Sequence, residues 1–130
     1  MSHREILQRA SLAHACADAL VAAVAGVALY ASFPPVGWWW LSVPALALFL
    51  SRIDEARAPR ALTVTFVFGM SFWVPLIDWV PLAVGTTPPW FVLALVQTLF
   101  LMGWVVFARW TQLWRWARGP LVQALLFALT

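Results

Sequence analysis

Long apolar runs, separated by short groups of arginine, constrain the fold of this chain more than any other feature. Four runs cover residues 12–32, 37–53, 61–80 and 89–108, and a fifth covers residues 120–130. About 20 apolar residues in a helix span the hydrocarbon core of a bilayer. We therefore predict an all-α polytopic membrane protein with four transmembrane helices plus the start of a fifth.

The composition agrees with this fold class. Hydrophobic residues make up 64% of the chain, charged residues make up 10%, and the mean hydropathy is +0.87. So few polar side chains cannot cover the surface of a soluble protein. The net charge of +3 comes from arginines that are spread in short groups, not clustered on one face. We therefore expect no nucleic acid partner.

The distribution of the arginines predicts the topology. The loops at residues 33–36 and 81–88 carry no charge. All eight arginines precede the first run or fall between the second and third or the fourth and fifth runs: Arg4, Arg9, Arg52, Arg57, Arg60, Arg109, Arg115 and Arg118. Basic loops stay in the cytoplasm. We predict a cytoplasmic segment at 1–11, a membrane region at 12–130, and a multi-pass protein of the bacterial cell membrane.

An uncharged turn joins the first two apolar runs. Pro34 and Pro35 prevent a continuous helix there, and Gly37 allows the backbone to reverse. Three tryptophans, at residues 38–40, follow at once. Tryptophan is enriched at membrane–water interfaces. The turn therefore predicts a helical hairpin with its tip at the outer interface.

The few polar residues within the apolar runs are interpreted one by one. His14 and Asp18 are four residues apart and share a helix face, which favours a structural pair over a proton relay. Asp78 lies near the outer end of the third run, where a structural and a functional role are both open. Gln97 indicates a hydrogen bond between helices, and Cys16 is expected to be a buried, inert thiol.

No catalytic pattern is found in the sequence. It contains no Gly-rich phosphate loop, no spacing of metal ligands and no Ser–His–Asp arrangement. We expect no catalytic residue, no metal site and no cofactor in this chain.

Several short motifs occur in order along the chain. Phe33-Pro34-Pro35-Val36-Gly37-Trp38 is followed by Phe66-Val67-Phe68-Gly69-Met70-Ser71-Phe72, then by Trp79 and by Pro89-Trp90. Over about residues 25–130 this succession resembles the N-terminal membrane region of the apolipoprotein N-acyltransferase family, in its actinobacterial form. The family is a larger membrane-helix bundle with a nitrilase-like outer domain. That domain holds a Glu–Lys–Cys catalytic set, which no residue of this chain matches.

The resemblance implies acyl transfer by the complete protein. The acyl chain of a phospholipid would pass to the N-terminal S-diacylglyceryl-cysteine of a lipoprotein, so both lipids are implied as partners. The chain itself would then be an inactive membrane fragment without the catalytic domain. Candidate lipid-facing or vestibule residues are Pro34, Trp38, Phe72, Asp78 and Trp79.

Three interpretations stay open at this point. The chain is the first part of a longer acyltransferase, or a separate membrane module that anchors a partner enzyme such as a polyprenol-phosphate mannosyltransferase. The third is an unrelated small transporter or channel subunit, which the scarcity of polar residues in the apolar runs disfavours.

Overall fold

The computed structural model describes residues 3–112, and all regular structure in that range is helical. The helices are α1 (His3–Ala31), a 3₁₀ turn (Trp39–Leu41), α2 (Ser42–Glu55), α3 (Ala58–Leu76), α4 (Val80–Val84) and α5 (Pro88–Gln112). The predicted all-α class is confirmed for this part of the chain. The run predicted at 120–130 lies outside the described residues.

Two of these helices are long and apolar enough to cross a membrane. They contain the segments Ser11–Ala31 and Pro88–Thr111. Helix α2 has only 14 residues, fewer than the roughly 17 that a perpendicular span needs. The four-span topology and the cytoplasmic N-terminus therefore stay predictions.

The start of α2 differs from the predicted run at 37–53. Trp39–Leu41 forms a 3₁₀ turn, and the α-helix begins at Ser42. Pro44 then falls in the first turn of α2. Backbone N–H groups in a first turn have no acceptor within the helix, so the N–H that proline lacks is not needed there. The proline therefore sets where α2 begins, and breaks no helical hydrogen bond.

The end of α3 also differs from the predicted run at 61–80. The helix ends at Leu76, and α4 follows after a tight turn in which the Val80 N–H donates to the Ile77 carbonyl at 3.1 Å. In a continuous helix the Ile77 carbonyl would accept from the N–H of the residue four positions later, which is Pro81, and proline has no N–H. The sequence between α3 and α4 is therefore a bend, which the apolar pattern alone did not predict.

Helix α3 is the central element and packs against α1, α2 and α5. Glycines make two of these contacts close. A Cβ at Gly26 would lie 2.5 Å from the Phe68 carbonyl oxygen, and one at Gly69 would lie 2.8 Å from Thr98 Cγ2. Small residues let helix backbones approach each other in this way.

The core between α1, α2, α3 and α5 combines small and aromatic side chains. Phe49 of α2 and Phe68 of α3 stack with their ring centroids 3.9 Å apart. The buried cluster consists of Ala22, Ala25, Phe49, Ile53, Ala56, Ala61, Val64, Phe68 and Val105. Alanines on α1 leave room for the two phenylalanine rings to meet at the centre of the bundle.

Asp18 joins three helices at one end of the bundle. Its carboxylate lies 3.4 Å from Arg52 Nη1 of α2 and 2.5 Å from Arg60 Nε of α3. Asp18 is buried, with 8% of its surface exposed, and a buried carboxylate needs such partners. The sequence analysis did not predict these two arginine partners, and the predicted pairing of Asp18 with His14 stays a prediction.

Arg109 ties α5 to the same end. Its Nη2 donates to the carbonyl of Ile53, and also to that of Ala56 at 2.6 Å. These carbonyls lie where α2 ends, and that of Ile53 also accepts from the Ala56 N–H at 3.3 Å. We call this end, defined by Asp18, Arg52, Arg60 and Arg109, the arginine end.

The opposite end carries the turn at residues 32–38 and helix α4, and we call it the turn end. Gly37 has a φ of 71°, and its N–H donates to the Phe33 carbonyl at 2.9 Å. The Phe33 ring also packs on Phe72 of α3, with centroids 5.7 Å apart. The predicted hairpin between α1 and α2 is confirmed, and its tip rests on α3.

Candidate functional site

A cavity of about 530 Å³ lies between α1, α2, α3 and α5. This volume falls within the range of roughly 300–1,000 Å³ that ligand sites occupy in proteins. Its walls are Leu29, Leu46, Phe49, Leu50, Phe68, Phe72, Trp73, Gln97, Phe100, Leu101 and Trp104. The cavity is the best-formed candidate site in the described part of the chain.

Helix α5 supplies the longest wall. Gln97, Phe100, Leu101 and Trp104 line the cavity, and their spacing of three, four and seven residues places them on one helix face. The rest of that face is apolar, so the wall is a strip of hydrocarbon with one amide near its start.

Helices α2 and α3 supply the facing walls. On α3, Phe68 and Phe72 are one turn apart, and Trp73 is adjacent to Phe72. On α2, Leu46 and Leu50 are likewise one turn apart. The stacking of Phe49 on Phe68 fixes α2 against α3, and this contact forms part of the cavity wall.

The chemistry of the lining suits binding rather than reaction. Gln97 is the one residue with a polar side-chain amide among the walls, and no titratable side chain lines them. Trp73 is also a wall residue, although its indole N–H is itself buried without a hydrogen-bond partner. A surface of this kind accepts a hydrocarbon chain and cannot supply a nucleophile or a general base.

The cavity extends along the bundle axis. The start of α5 lies at the turn end, where Trp90 Nε1 donates to the Val74 carbonyl at 2.9 Å. Gln97 is therefore the α5 wall residue nearest the turn end, and Trp104 is the one nearest the arginine end. Seven helical residues separate them by about 10 Å. These residues occupy the middle of α5, whereas the α3 wall residues lie in the half of α3 nearer the turn end.

A second, shallower groove of about 500 Å³ lies on the outer face of α5. Its walls are Val96, Leu99, Phe100, Gly103, Trp104 and Phe107. Phe100 and Trp104 therefore line both the groove and the cavity. These two side chains form the partition between the interior of the bundle and its outer surface.

The model of one protein family, the apolipoprotein N-acyltransferase N-terminal domain, matches residues 25–130. The chain belongs to this family. Among characterised relatives, it is 40% identical over 88 residues to the apolipoprotein N-acyltransferase of Mycolicibacterium smegmatis. That match covers 65% of this chain and 14% of the relative. No solved structure matches the chain.

Family membership confirms the resemblance inferred from the motifs. The structure places one of the five predicted vestibule residues in the cavity wall and the other four outside it. Phe72 lines the cavity, whereas Pro34, Trp38, Asp78 and Trp79 are exposed at the turn end, outside the cavity walls. Trp38 stacks on Trp40 with the ring centroids 6.4 Å apart. All five residues thus belong to one end of the bundle, and only Phe72 faces the interior space.

The prediction for Cys16 is wrong, because the side chain is exposed. Residues 11–17 are all exposed, and Asp18 is the first buried residue that follows them. Cys16 therefore lies in an exposed stretch of α1. Gln97 is a wall residue of the cavity, and its predicted hydrogen bond between helices stays a prediction.

Most cavity residues were missed by the sequence reasoning within this apolipoprotein N-acyltransferase domain. Leu46, Phe100 and Leu101 carry no sequence signal that separates them from other apolar residues. Gln97 was the available signal, since a lone amide in an apolar helix marks one face. Extending that face by three, four and seven residues would have identified the α5 wall.

Proposed function

We propose that this chain is the membrane-embedded N-terminal region of an apolipoprotein N-acyltransferase and that its cavity holds an acyl chain of a lipid substrate. The observation that carries the proposal is the apolar lining of a 530 Å³ cavity in a domain of this family. The site offers hydrocarbon contact along four helices and a single amide. A phospholipid acyl chain is the substrate part with matching chemistry.

The proposed orientation places the turn end at the outer face of the cell membrane. The arginine end would then be cytoplasmic, as basic segments prefer. Trp38, Trp39 and Trp40, all more than half exposed, would sit at the outer interface, where their rings meet headgroups and water. A lipid of the outer leaflet could then extend its acyl chain into the cavity from the turn end.

In the complete protein, the proposed reaction has two halves. A cysteine thiolate of the outer domain attacks the acyl ester of a phospholipid, forming a thioester and releasing a lysophospholipid. The N-terminal amine of an S-diacylglyceryl-cysteine then attacks the thioester, forming an amide and returning the thiol. The residues described here bind and orient the acyl chain, and take no part in the bond changes.

The test is photolabelling of the chain in membranes with a phospholipid that carries a diazirine near the end of its acyl chain. We expect label on cavity residues such as Phe72 and Leu101. Leu46→Trp fills the cavity and should lower that labelling at least fivefold. Leu82→Trp is the matched control, because Leu82 is 89% exposed on α4 and outside the cavity.

Equal labelling of both variants and the unchanged chain would overturn the proposal. The alternative prediction, a module that anchors a mannosyltransferase, needs no acyl chain in the cavity. The same measurement therefore separates the two functions.

A further inference from the structure

On α5, Trp104 is the cavity residue nearest the arginine end, where Leu50 of α2 and Phe68 of α3 also line the cavity. Trp104 is the last cavity residue on α5 before the helix reaches Val105, which is 1% exposed. Beyond it, α5 is fixed by Arg109 to the carbonyls where α2 ends. Past Trp104 the described helices are packed together, so a chain entering from the turn end meets the indole ring.

The space on the other side of this ring is open. Trp104 also lines the groove on the outer face of α5, together with Gly103 and Phe107. A Cβ at Gly103 would have no heavy atom within 4 Å. Removal of the indole would therefore open the partition between the cavity and the groove beside Phe100.

We infer that Trp104 is a specificity-determining residue that limits the length of the acyl chain held in the cavity. The inference rests on the proposed function, because it concerns the same cavity and the same class of ligand. Methylene groups that fit between the turn end and Trp104 are buried in the cavity. Additional methylene groups meet the ring and gain no further burial.

This arrangement sets a definite dependence of binding on chain length. The acyl chain of a lipid in a bilayer already lies in hydrocarbon, so each methylene group gains affinity only through the packing contacts that the cavity adds. With Trp104 in place, that gain stops at the length that fills the cavity. With a small residue at this position, the gain continues into the groove along Gly103.

The experiment uses the chain reconstituted in bilayer discs and a fixed trace of a photoreactive phospholipid. Unlabelled lysophospholipids of increasing, saturated acyl length compete for the label. The variants are Trp104→Ala and Trp104→Phe, and the matched control is Trp110→Ala, since Trp110 lies on α5 outside the cavity walls. The competitor concentration that halves the labelling is measured for each length.

For the unchanged chain and Trp110→Ala, we expect potency to rise with acyl length and then reach a plateau. For Trp104→Ala, potency should continue to rise beyond that length, so that the plateau shifts to longer acyl chains. Trp104→Phe should shift the plateau by a smaller amount. This conservative variant also provides the test if the alanine variant does not fold.

An identical plateau in all four proteins overturns the inference while leaving the proposed function intact. Absence of labelling in the unchanged chain, at every length, contradicts the proposed function itself. The two failures are therefore distinguishable in one data set.

Discussion

Trp90 closes the end of α3: its Nε1 donates to the Val74 carbonyl across 2.9 Å. In a longer helix that carbonyl would accept from the Asp78 N–H, but α3 ends at Leu76 and the chain turns. The indole at the start of α5 therefore takes the place of a missing backbone donor. This contact fixes the turn-end boundary of α3 and α5, the two helices that form most of the cavity wall.

Trp90→Phe should destabilise the bundle by about 1 kcal/mol, because it removes the donor while keeping an aromatic ring. The free energy of unfolding in mixed detergent and SDS micelles measures the effect. Trp39→Phe is the control, since Trp39 is 75% exposed. Equal free energies of unfolding for Trp90→Phe and Trp39→Phe would show that the hydrogen bond from the Trp90 indole to the Val74 carbonyl does not stabilise the bundle.

Gly26→Ala should destabilise the contact between α1 and α3 by roughly 1–3 kcal/mol. The added Cβ would lie 2.5 Å from the Phe68 carbonyl oxygen, and backbone atoms cannot move aside as a side chain can. Gly103→Ala makes the same chemical change on α5 with no heavy atom within 4 Å. That control should unfold at the same SDS fraction as the unchanged chain, or at a higher one.

Asp18→Asn should cost about 1–2 kcal/mol, because it leaves Arg52 and Arg60 without their carboxylate. Both arginine side chains are more than a third exposed, so solvent screening keeps the loss moderate. SDS unfolding again measures the change. Asp54→Asn, at an exposed position of α2, is the control, and a loss of the same size there would argue against a specific role for Asp18.

The proposed orientation predicts which introduced cysteines react from outside the cell. In a Cys16→Ala background, Thr86→Cys at the turn end should react with a membrane-impermeant maleimide in intact cells. Ala58→Cys, close to the arginine end in sequence and fold, should react only after permeabilisation. The reversed pattern would place the N-terminus outside and contradict the topology inferred from the arginines.

The sequence predicted the features that depend on single residues. Gly37 and the two prolines predicted the reversal between α1 and α2. This prediction succeeded because a backbone reversal restricts the residues that can stand there. The two arginine partners of Asp18 were not predicted, because they lie 34 residues or more away in the sequence and on other helices.

The cavity could not be predicted in the same way. Helix α5 is apolar on nearly all faces, so Leu101 in the cavity wall and Leu99 in the outer groove have the same residue type in the same pattern. Hydrophobic periodicity distinguishes a buried face from a wet one, and it fails where both faces are apolar. The bend after Leu76 was not predicted for a related reason: the apolar run in the sequence continues through it.

The way α1 packs has a consequence for the order of events during synthesis. Helix α1 contacts α3 more extensively than its neighbour α2, and Gly26 meets the α3 backbone directly. Chains emerge from the ribosome N-terminus first. Helix α1 is therefore complete before α3, its principal partner, has been synthesised. The α1 face that carries Gly26 stays uncovered by α3 until Phe68 has been translated.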